Sequence, residues 1–336
     1  MPFRGDRRSL AAAAMVGVAA VVVVVVVLTA GSAGESLPTP APSTPFAIPL
    51  TTPVPHQPVT GFGFSAVDDP STHQLVLFGG IDSYTTTWLW DGRRWTLARP
   101  AASPRGRFGA SAAYDPITRM VMLYGGRLSP GDVVDDTWGW DGTTWLALDA
   151  GTGSPPVGEG SLMAWDPAHN QMVLSAGGQT WVWNGSHWDR QPDGDLPSGT
   201  AFGSVAFDPV TRALLAISCC APQVTTYRWD GMAWRQVGSG ANAPVILSLA
   251  LDPVSDRLLL CTDPTQSQVG RQMWSWSGRD WIPLAGARLP LSPLAEVTDT
   301  VAGHLLILGT VPQPNQGSPQ PVRVFSWTGS TWSQLG

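Results

Sequence analysis

The sequence predicts an all-β protein, a six-bladed β-propeller with four-stranded antiparallel blades, after an N-terminal membrane segment and a proline-rich linker. An aromatic motif, W-x-W-D-G-x-x-W in its clearest form, recurs six times and contains sixteen of the seventeen tryptophans. A repeat of this kind indicates units that bury their apolar faces against one another. An uncharged run and a stretch rich in Pro, Thr and Ser precede the repeats. The predicted domains are residues 1–34, 35–60 and 61–336.

The first domain has the length of a transmembrane helix. Arg4, Arg7 and Arg8 precede the uncharged run 10–30, which as a helix would span about 30 Å, the thickness of a bilayer's hydrocarbon core. Secretory signal peptides usually have a shorter apolar region, so the length favours an uncleaved signal anchor, with cleavage after the run as the alternative. The predicted location is a single-pass membrane protein with an extracytoplasmic propeller, or a secreted protein if the signal is cleaved.

Residues 35–59 are dominated by Pro, Thr and Ser and lack the apolar residues needed for a core. Such a segment is typical of an extended, polyproline-like spacer. It would hold the propeller away from the membrane, which agrees with a retained anchor.

The charge pattern argues against nucleic acid as a partner. The formal net charge is -6, only 13% of the residues are charged, and all 19 basic residues are arginines scattered along the chain. A protein that binds DNA or RNA needs clustered positive charge to displace counterions from the phosphates.

Each repeat supplies four strands in order. The first strand is an apolar segment that runs into an Asp-Pro pair such as Asp69-Pro70, which suits a type I turn. The sixth repeat has Asp299-Thr300 instead, which predicts a degraded turn. The second strand ends in a double glycine in the first three repeats, which lets two backbones approach closely. The W-x-W strand follows, and an Asp-Gly or Asn-Gly pair predicts a hairpin to the last strand. Six such units of about 46 residues are typical of a closed propeller.

This order of elements resembles the kelch repeat of galactose-oxidase-type propellers and covers residues 61–336. The resemblance implies that the first strand of each blade lines a central channel and that the fourth lies outside. Residues 218–220, 261–263 and 309–310 depart from the expected Gly-Gly, which predicts altered loops after the second strands of the last three blades. Because no blade is shared between the chain ends, we expect the ring to close by packing of blade six against blade one.

Three cysteines, Cys219, Cys220 and Cys261, make an odd number for an exported chain. A bridge between neighbouring repeats and a strained vicinal bridge are both conceivable. Small residues that fill sites held by glycine elsewhere are an equally good explanation. No His or second Cys pair lies at the spacing of zinc ligands. We therefore expect no metal and no cofactor.

Any binding site is expected on one face of the propeller, which we call the variable-loop face. The turns after the first and third strands are uniformly tight, whereas the loops after the second and fourth strands vary in length. Binding residues occur preferentially on variable loops that a rigid scaffold positions. The candidates are Asp82, Tyr84, Arg105, Arg107, Arg127, Asp132, Asp135, Asp136 and Arg271.

These candidates have a functional and a structural interpretation. Arg105 and Arg107 could hold a carboxylate through paired hydrogen bonds, but the favoured interpretation is a loop whose charges keep the rim soluble. The aspartates of the 127–136 loop match no calcium-binding spacing, which favours a solvated acidic loop. Tryptophans repeated in every blade indicate packing between sheets rather than glycan binding. Only Trp165, in the first strand of the third blade, lies outside the motif.

Residues that could support catalysis are sparse. The five histidines are dispersed, so no pair can converge on a metal or a nucleophile. A copper oxidase like the namesake of the resembled family would need a cluster of Tyr and His on the channel face, and the chain has only four tyrosines. The Asp-box of sialidases does not match, because Asp and Gly are adjacent here. Glycosidases need paired carboxylates, for which Glu159 is the one weak candidate.

The sequence therefore favours a noncatalytic module, tethered to the membrane, that binds a protein or glycan of the cell envelope on the variable-loop face. The alternative is a degenerate glycan-active enzyme, sialidase-like or oxidase-like, that uses Glu159 with a loop aspartate. A purely structural envelope component is a third hypothesis.

Overall fold

The computed structural model describes the chain from Gln57 to Leu335, apart from residues 60–62, 82–84, 129–130, 149–154, 157–159, 198–199, 219–223, 242–245, 263–272, 286–291 and 311–320. The predicted membrane segment, nearly all of the linker and most of the altered loops lie outside this part. So do Asp82, Tyr84, Glu159, Cys219, Cys220 and Arg271. Contacts divide the chain into two compact units, Met1–Thr52 and Pro53–Gly336. None of the helices among the described residues has the length and apolar character to cross a bilayer.

Six four-stranded antiparallel sheets, each with its strands in chain order, make up the second unit, as predicted. Blade 1 contains β1 (Phe64–Asp69), β2 (Gln74–Gly79), β3 (Thr87–Trp90) and β4 (Trp95–Leu97); blade 2 contains β6 (Ser111–Asp115), β7 (Met120–Tyr124), β9 (Thr137–Trp140) and β10 (Trp145–Leu148). Blade 3 contains β11 (Leu162–Asp166), β12 (Gln171–Ala176), β13 (Gln179–Trp183) and β14 (Trp188–Arg190). A separate pair, β5 (Arg107–Phe108) and β8 (Arg127–Leu128), flanks blade 2.

Blade 4 contains β15 (Phe202–Asp208), β16 (Ala213–Ser218), β17 (Val224–Trp229) and β18 (Trp234–Ala241); blade 5 contains β19 (Ile246–Asp252), β20 (Arg257–Thr262), β21 (Met273–Trp276) and β22 (Trp281–Pro283). Blade 6 contains β23 (Ser292–Asp299), β24 (His304–Thr310), β25 (Arg323–Trp327) and β26 (Trp332–Leu335). The first strands contact one another in sequence, and β1 also contacts β23. The ring of blades is therefore closed.

The turn between the first and second strands has the same form in every blade. The aspartate that ends each first strand accepts the amide of the residue two positions later, over 2.9–3.2 Å. The fourth residue of each loop has a positive φ, from 51° at Arg212 to 70° at Gly303. The prediction of a degraded sixth turn is wrong, because Asp299 makes the same hydrogen bond to Val301 without a proline. The aspartate and the left-handed residue, not the proline, determine this turn.

The tryptophans form one cross-strand pair in each blade. The residues that flank the turn between the third and fourth strands lie opposite each other, as Trp90 does to Trp95, and the two rings of each pair are 5.0–5.5 Å apart. Tilted or edge-on pairs at this spacing are favourable beyond the area that they bury. Thirteen of the seventeen tryptophans are buried and none is exposed. The prediction that packing between sheets accounts for them is confirmed.

A hydrogen bond from one blade to the preceding blade accompanies four of these pairs. The indole Nε1 of the fourth-strand tryptophan donates to a threonine hydroxyl over 2.9–3.2 Å. These pairs are Trp145 with Thr87, Trp188 with Thr137, Trp234 with Thr180 and Trp281 with Thr226. At the junction between blades 5 and 6, Met273 takes the place of the threonine and packs near Trp332. At the junction between blades 6 and 1, Val324 takes its place and packs near Trp95.

The junction between blades 6 and 1, which we call the seam, closes through noncovalent contacts, as predicted. Phe64, Leu77 and Trp95 of blade 1 share a core cluster with Leu308 and Val324 of blade 6. The carboxylate of Asp68 accepts hydrogen bonds from the backbone amide and hydroxyl of Thr300. Burial raises the pKa of Asp68, and the hydrogen bonds from Thr300 offset only part of this effect.

The hydrogen bond between blades predicts a specific loss of stability in Thr180→Val. This change keeps the shape of the side chain but removes the acceptor of Trp234 Nε1, whose ring is 0% exposed, so water cannot replace it. We expect a loss of about 1–2 kcal/mol in the free energy of unfolding, measured by urea denaturation. Thr96→Val, at an exposed site in β4, is the control. Equal effects of the two changes would contradict the assignment.

Candidate ligand-binding face

A small braced substructure holds the loop after the second strand of blade 2, on the variable-loop face. Strands β5 and β8 pair through Arg107 with Leu128 and Phe108 with Arg127. Within the loop, the amide of Val134 donates to the carbonyl of Gly126 over 3.0 Å. Gly126 has a φ of 97°, and a Cβ there would lie 3.0 Å from the backbone of Phe108 and Ala110, so glycine is required. The loop is thus fixed against the connection between blades 1 and 2.

Arg107 is the central residue of this substructure. Its side chain is 0% exposed and forms a bidentate ion pair with the carboxylate of Asp136. Its Nη1 also donates to the carbonyl of Gly125 over 3.0 Å, and its Nε donates to the carbonyl of Arg105 over 2.9 Å. A second donor to Asp136 is Trp138 Nε1, at 2.7 Å. The guanidinium is thus satisfied by the protein, and a ligand carboxylate would have to displace Asp136.

The electrostatics of the pair agree with this geometry. Burial by itself would raise the pKa of Asp136, but the hydrogen bonds from Arg107 and Trp138 and the positive charge of Arg107 outweigh it and hold the pKa below its ordinary value. Asp136 therefore stays ionised and keeps the buried arginine compensated. The neighbouring Tyr124 hydroxyl donates to the carbonyl of Pro155 over 2.8 Å. Burial, followed by the charges of Asp135 and Asp136, raises the pKa of Tyr124.

The other described candidates lie around this pair. Arg105, Asp132 and Asp135 are exposed, whereas Arg127 is half-buried. The structure thus brings Arg107 and Asp136 together, as a brace beneath the surface, and leaves Arg105, Asp132 and Asp135 to face solvent. No sequence pattern indicated this division, because Arg107 and Asp136 are 29 residues apart.

A polar cavity opens on the same face at blade 3, where the loop after the second strand is shortest. It has a volume of about 310 Å³, and its lining includes Gly178, Gln179, Arg190, Asp193 and Leu196. Arg190 and Asp193 form a partly exposed ion pair, with Nη2 of Arg190 3.2 Å from Oδ1 of Asp193. Sequence reasoning missed this site, although the short Gly177-Gly178 connection was visible as the least elaborate loop of the face.

A second feature that sequence reasoning missed is a buried carboxyl group between blades 5 and 6. Glu296 lies in β23, and its Oε1 is buried without a hydrogen-bond partner among the described residues. The thiol of Cys261 lies against this carboxyl group. The Ser248 hydroxyl also approaches it, but not in the geometry of a hydrogen bond. At the equivalent place, the five other blades have Ala66, Ala112, Met163, Val205 and Leu249.

The burial of this cluster controls its protonation. Burial raises the pKa of Glu296, and the contacts with Ser248 and Cys261 lower it only in part. Burial and the neighbouring Glu296 raise the pKa of the Cys261 thiol. Cys261 is free, so it does not form the bridge to another repeat that the sequence allowed. It lies opposite Ser248, as Phe78 lies opposite Ser65, and so does not occupy a glycine position.

The titratable residues do not form a metal site within the described ranges, since no group of three His, Cys, Asp or Glu side chains there could hold an ion. His169 and His187 bind to nearby carboxylates, Asp166 and Asp189, in or beside tight turns. Trp165 is partly buried against the core of blade 3.

Comparisons with known proteins support the propeller fold but show no function. No protein-family model matches the chain, and no curated protein matches its sequence. The solved structure of YjhT is similar, with a TM-score of 0.57 and 11% identity, over 84% of this chain and 99% of that one. A fungal alcohol oxidase of the AA5 family, in complex with copper, has a TM-score of 0.52 and 12% identity, over 79% of this chain and 61% of the oxidase. At such identities the likeness shows the propeller fold alone.

The ion pair predicts unequal effects of changes at its two ends. Asp136→Asn leaves the buried charge of Arg107 uncompensated, whereas Arg107→Met removes that charge and leaves Asp136, which is 39% exposed, accessible to water. We expect Asp136→Asn to cost about 2 kcal/mol, below the roughly 3–5 kcal/mol of a fully buried pair because of that exposure, and Arg107→Met to cost less. Urea denaturation of the two single variants and of the double variant measures the coupling energy between Arg107 and Asp136. Strictly additive losses in the free energy of unfolding would contradict this coupling.

The buried carboxyl predicts a pH dependence of stability. Burial raises the pKa of Glu296 above its ordinary value of 4.5. The stability that the protonated carboxyl group contributes is therefore fully present below about pH 4.5 and is lost as the pH rises through the pKa of the folded state. Glu296→Gln removes the titration, so its melting temperature should exceed that of the wild type by a margin that grows from about pH 5 to about pH 8. Asp280→Asn, at an exposed turn, is the control. Parallel pH profiles of wild type and Glu296→Gln would refute the assignment.

Proposed function

We propose that this protein is a noncatalytic binding module whose partner, a protein or glycan of the cell envelope, docks on the variable-loop face. The single observation that carries the proposal is the braced 127–136 loop. The ion pair of the buried Arg107 with Asp136 braces one end of this loop, while Asp132 and Asp135 at its surface are exposed. A preorganised polar surface loses little conformational entropy on binding.

The chemistry of this face fits a polar partner. Arg105, Asp132 and Asp135 carry charges of both signs, and the cavity at blade 3 adds Gln179, Arg190 and Asp193. Such groups offer hydrogen bonds to peptide amides and to sugar hydroxyls. The described tryptophans, by contrast, are engaged between blades and provide no open stacking platform.

The kelch-like order of the repeats and the N-terminal sequence support the remaining parts of the proposal. A kelch-type propeller presents its loops on a rigid ring, which suits an interaction module. The uncharged run 10–30 would anchor the chain in the membrane, and the proline-rich linker would carry the propeller outside the cytoplasm. Cleavage after the run would make the same module a secreted protein.

The proposal predicts that binding depends on charges of the variable-loop face. The triple variant Arg105→Ala, Asp132→Ala and Asp135→Ala leaves the Arg107–Asp136 pair intact, so the loop should keep its conformation. We expect it to bind the partner at least about tenfold more weakly than the wild type, a loss of about 1.4 kcal/mol. The measurement is retention of envelope proteins and of arrayed glycans by the full-length chain in detergent.

A matched variant on the opposite face is the control. Arg257→Ala with Asp280→Ala removes two exposed charges beside tight turns, and it should bind like the wild type. Equal retention by both variants would contradict the assigned face. Turnover of artificial glycosides that Glu159→Gln abolishes would instead favour the glycan-active enzyme.

A further inference from the structure

The polar cavity at blade 3 lies away from the centre of the ring. Its lining comes from the hairpin Gly177–Gly178, from the start of β13 and the end of β14, and from residues between 193 and 197 on the way to blade 4. The first strands contact one another at the centre of the ring and contribute no residue to this lining. The cavity is therefore a site of its own and not part of the mouth of the channel.

One wall of the cavity is a tight hairpin. Ala176 pairs with Gln179, so Gly177 and Gly178 form a two-residue loop. Both glycines have a positive φ, 57° and 72°, as in the type I′ turn that suits the twist of antiparallel strands. A Cβ at Gly177 would lie 3.0 Å from the side chain of Pro156. Because the loop has only two residues, this wall has little freedom to rearrange when a ligand binds.

The segment that connects blades 3 and 4 forms a second wall and is fixed to both blades. The amide of Gln191 donates to the carbonyl of Thr180 in blade 3 over 2.8 Å. The amide of Asp195 donates to the carbonyl of Trp234 in blade 4, also over 2.8 Å. Asp193 lines the cavity between these two attached residues. Its position is thus determined by both neighbouring blades.

The same segment packs closely on blade 4. Gly194 has a φ of 68°, and a Cβ there would collide with the carbonyl oxygen of Trp234, so glycine is required. The side chain of Leu196 packs against the core cluster of blade 4, and its amide donates to the carbonyl of Asp193 over 3.3 Å. The cavity is consequently preorganised, which reduces the entropy that binding would cost.

The side chains of the cavity balance in charge and keep free hydrogen-bonding groups. Nη2 of Arg190 is 3.2 Å from both carboxylate oxygens of Asp193. Since both contacts use one nitrogen, Nε and Nη1 of Arg190 have no partner among the described residues, and neither has the side-chain amide of Gln179. One positive and one negative group face the cavity, so an uncharged polar ligand fits it better than an anion or a cation.

The volume and the apolar part of the lining narrow the ligand further. The cavity measures about 310 Å³, and one water occupies about 30 Å³ of liquid, so a single ring of about a dozen non-hydrogen atoms fits. Leu196 and Pro197 add a small apolar surface beside the polar groups. A sugar ring combines hydroxyl groups, which both donate and accept hydrogen bonds, with an apolar C–H face. An apolar ligand would leave Arg190 and Gln179 unpaired.

We propose that this cavity binds one uncharged sugar unit of an envelope glycan. The hydroxyl groups of the sugar accept hydrogen bonds from Arg190 and Gln179 and donate to Asp193. Its C–H face packs on Leu196 and Pro197. This inference rests on the proposed function, because it selects the glycan from the two classes of partner and gives it a defined place on the variable-loop face.

The test uses the full-length chain in a detergent that has no sugar headgroup. The probes are the methyl glycosides of glucose, galactose, mannose and N-acetylglucosamine, titrated separately and followed by saturation-transfer NMR. We expect at least one of them to bind with a Kd on the order of 1 mM, the affinity that about a dozen non-hydrogen atoms give at ordinary ligand efficiency.

A pair of matched double variants locates the binding. Arg190→Ala with Asp193→Asn removes the charged groups of the cavity and should weaken the binding of that glycoside at least about tenfold. Arg94→Ala with Asp91→Asn removes the same residue types, at the same spacing, from an exposed ion pair of the tight-turn face, and should bind like the wild type. Because both pairs are at least partly exposed, neither change should lower the melting temperature by more than about 2 °C.

Three results would overturn the proposal. The first is that none of the four glycosides binds. The second is an equal loss of binding in the two double variants. The third is binding of N-acetylglycine methylamide or inorganic sulfate, in place of every glycoside, that only the cavity variant abolishes, because the cavity would then be a peptide site or an anion site.

The retention assay described above separates this inference from the proposed function. Retention of an envelope protein by a chain that binds no glycoside would support the proposed function and overturn the sugar site. Glycoside binding in the cavity by a chain that retains no envelope component would support the sugar site and contradict the proposed function.

Discussion

Four of the six blade junctions depend on an indole ring that is fixed from two sides. Within its blade, Trp145 packs on Trp140 with the ring centroids 5.5 Å apart, and across the junction its Nε1 donates to Thr87 of the preceding blade. A large ring buried between sheets contributes strongly to packing, but its single N–H group needs an acceptor there. The threonine supplies that acceptor and fixes the lateral position of one sheet on the next. One Trp–Thr pair thus both buries the indole ring and fixes the register between two neighbouring blades.

The same constraint distinguishes the two junctions that involve blade 6 from the other four. The acceptor is present at four junctions in a row and is replaced by Met273 and Val324 at the two junctions that involve blade 6. Other contacts hold these junctions: Thr298 of blade 6 donates to the carbonyl of Leu251 of blade 5, and Asp68 of blade 1 binds Thr300 of blade 6. Apolar packing of the outer strands of blade 6 accompanies these hydrogen bonds at both junctions.

Blade 6 also carries the clearest conflict between a residue and its surroundings. Glu296 stands where the five other blades have small or apolar residues, and its carboxyl group lies against Cys261 without full hydrogen bonding. Burial of a carboxyl group favours its neutral form and lowers stability at neutral pH. Exceptions to a local rule tend to occur at strained or functional sites. The brace of Arg107 and Asp136 shows the opposite case, because there a buried charge is fully compensated and fixes a loop.

The sequence by itself determined the number of blades, the order of their strands and the turns, because these depend on residues close together in the chain. The Asp91-Gly92 pair and the aspartates at the ends of the first strands act on their own neighbours. Only the tertiary structure decided that Arg107 binds Asp136, that Glu296 meets Cys261 and that Asp68 reaches Thr300, 232 residues away. Such contacts depend on the register between blades and on the closure of the ring, and no local pattern of residue types encodes either of them.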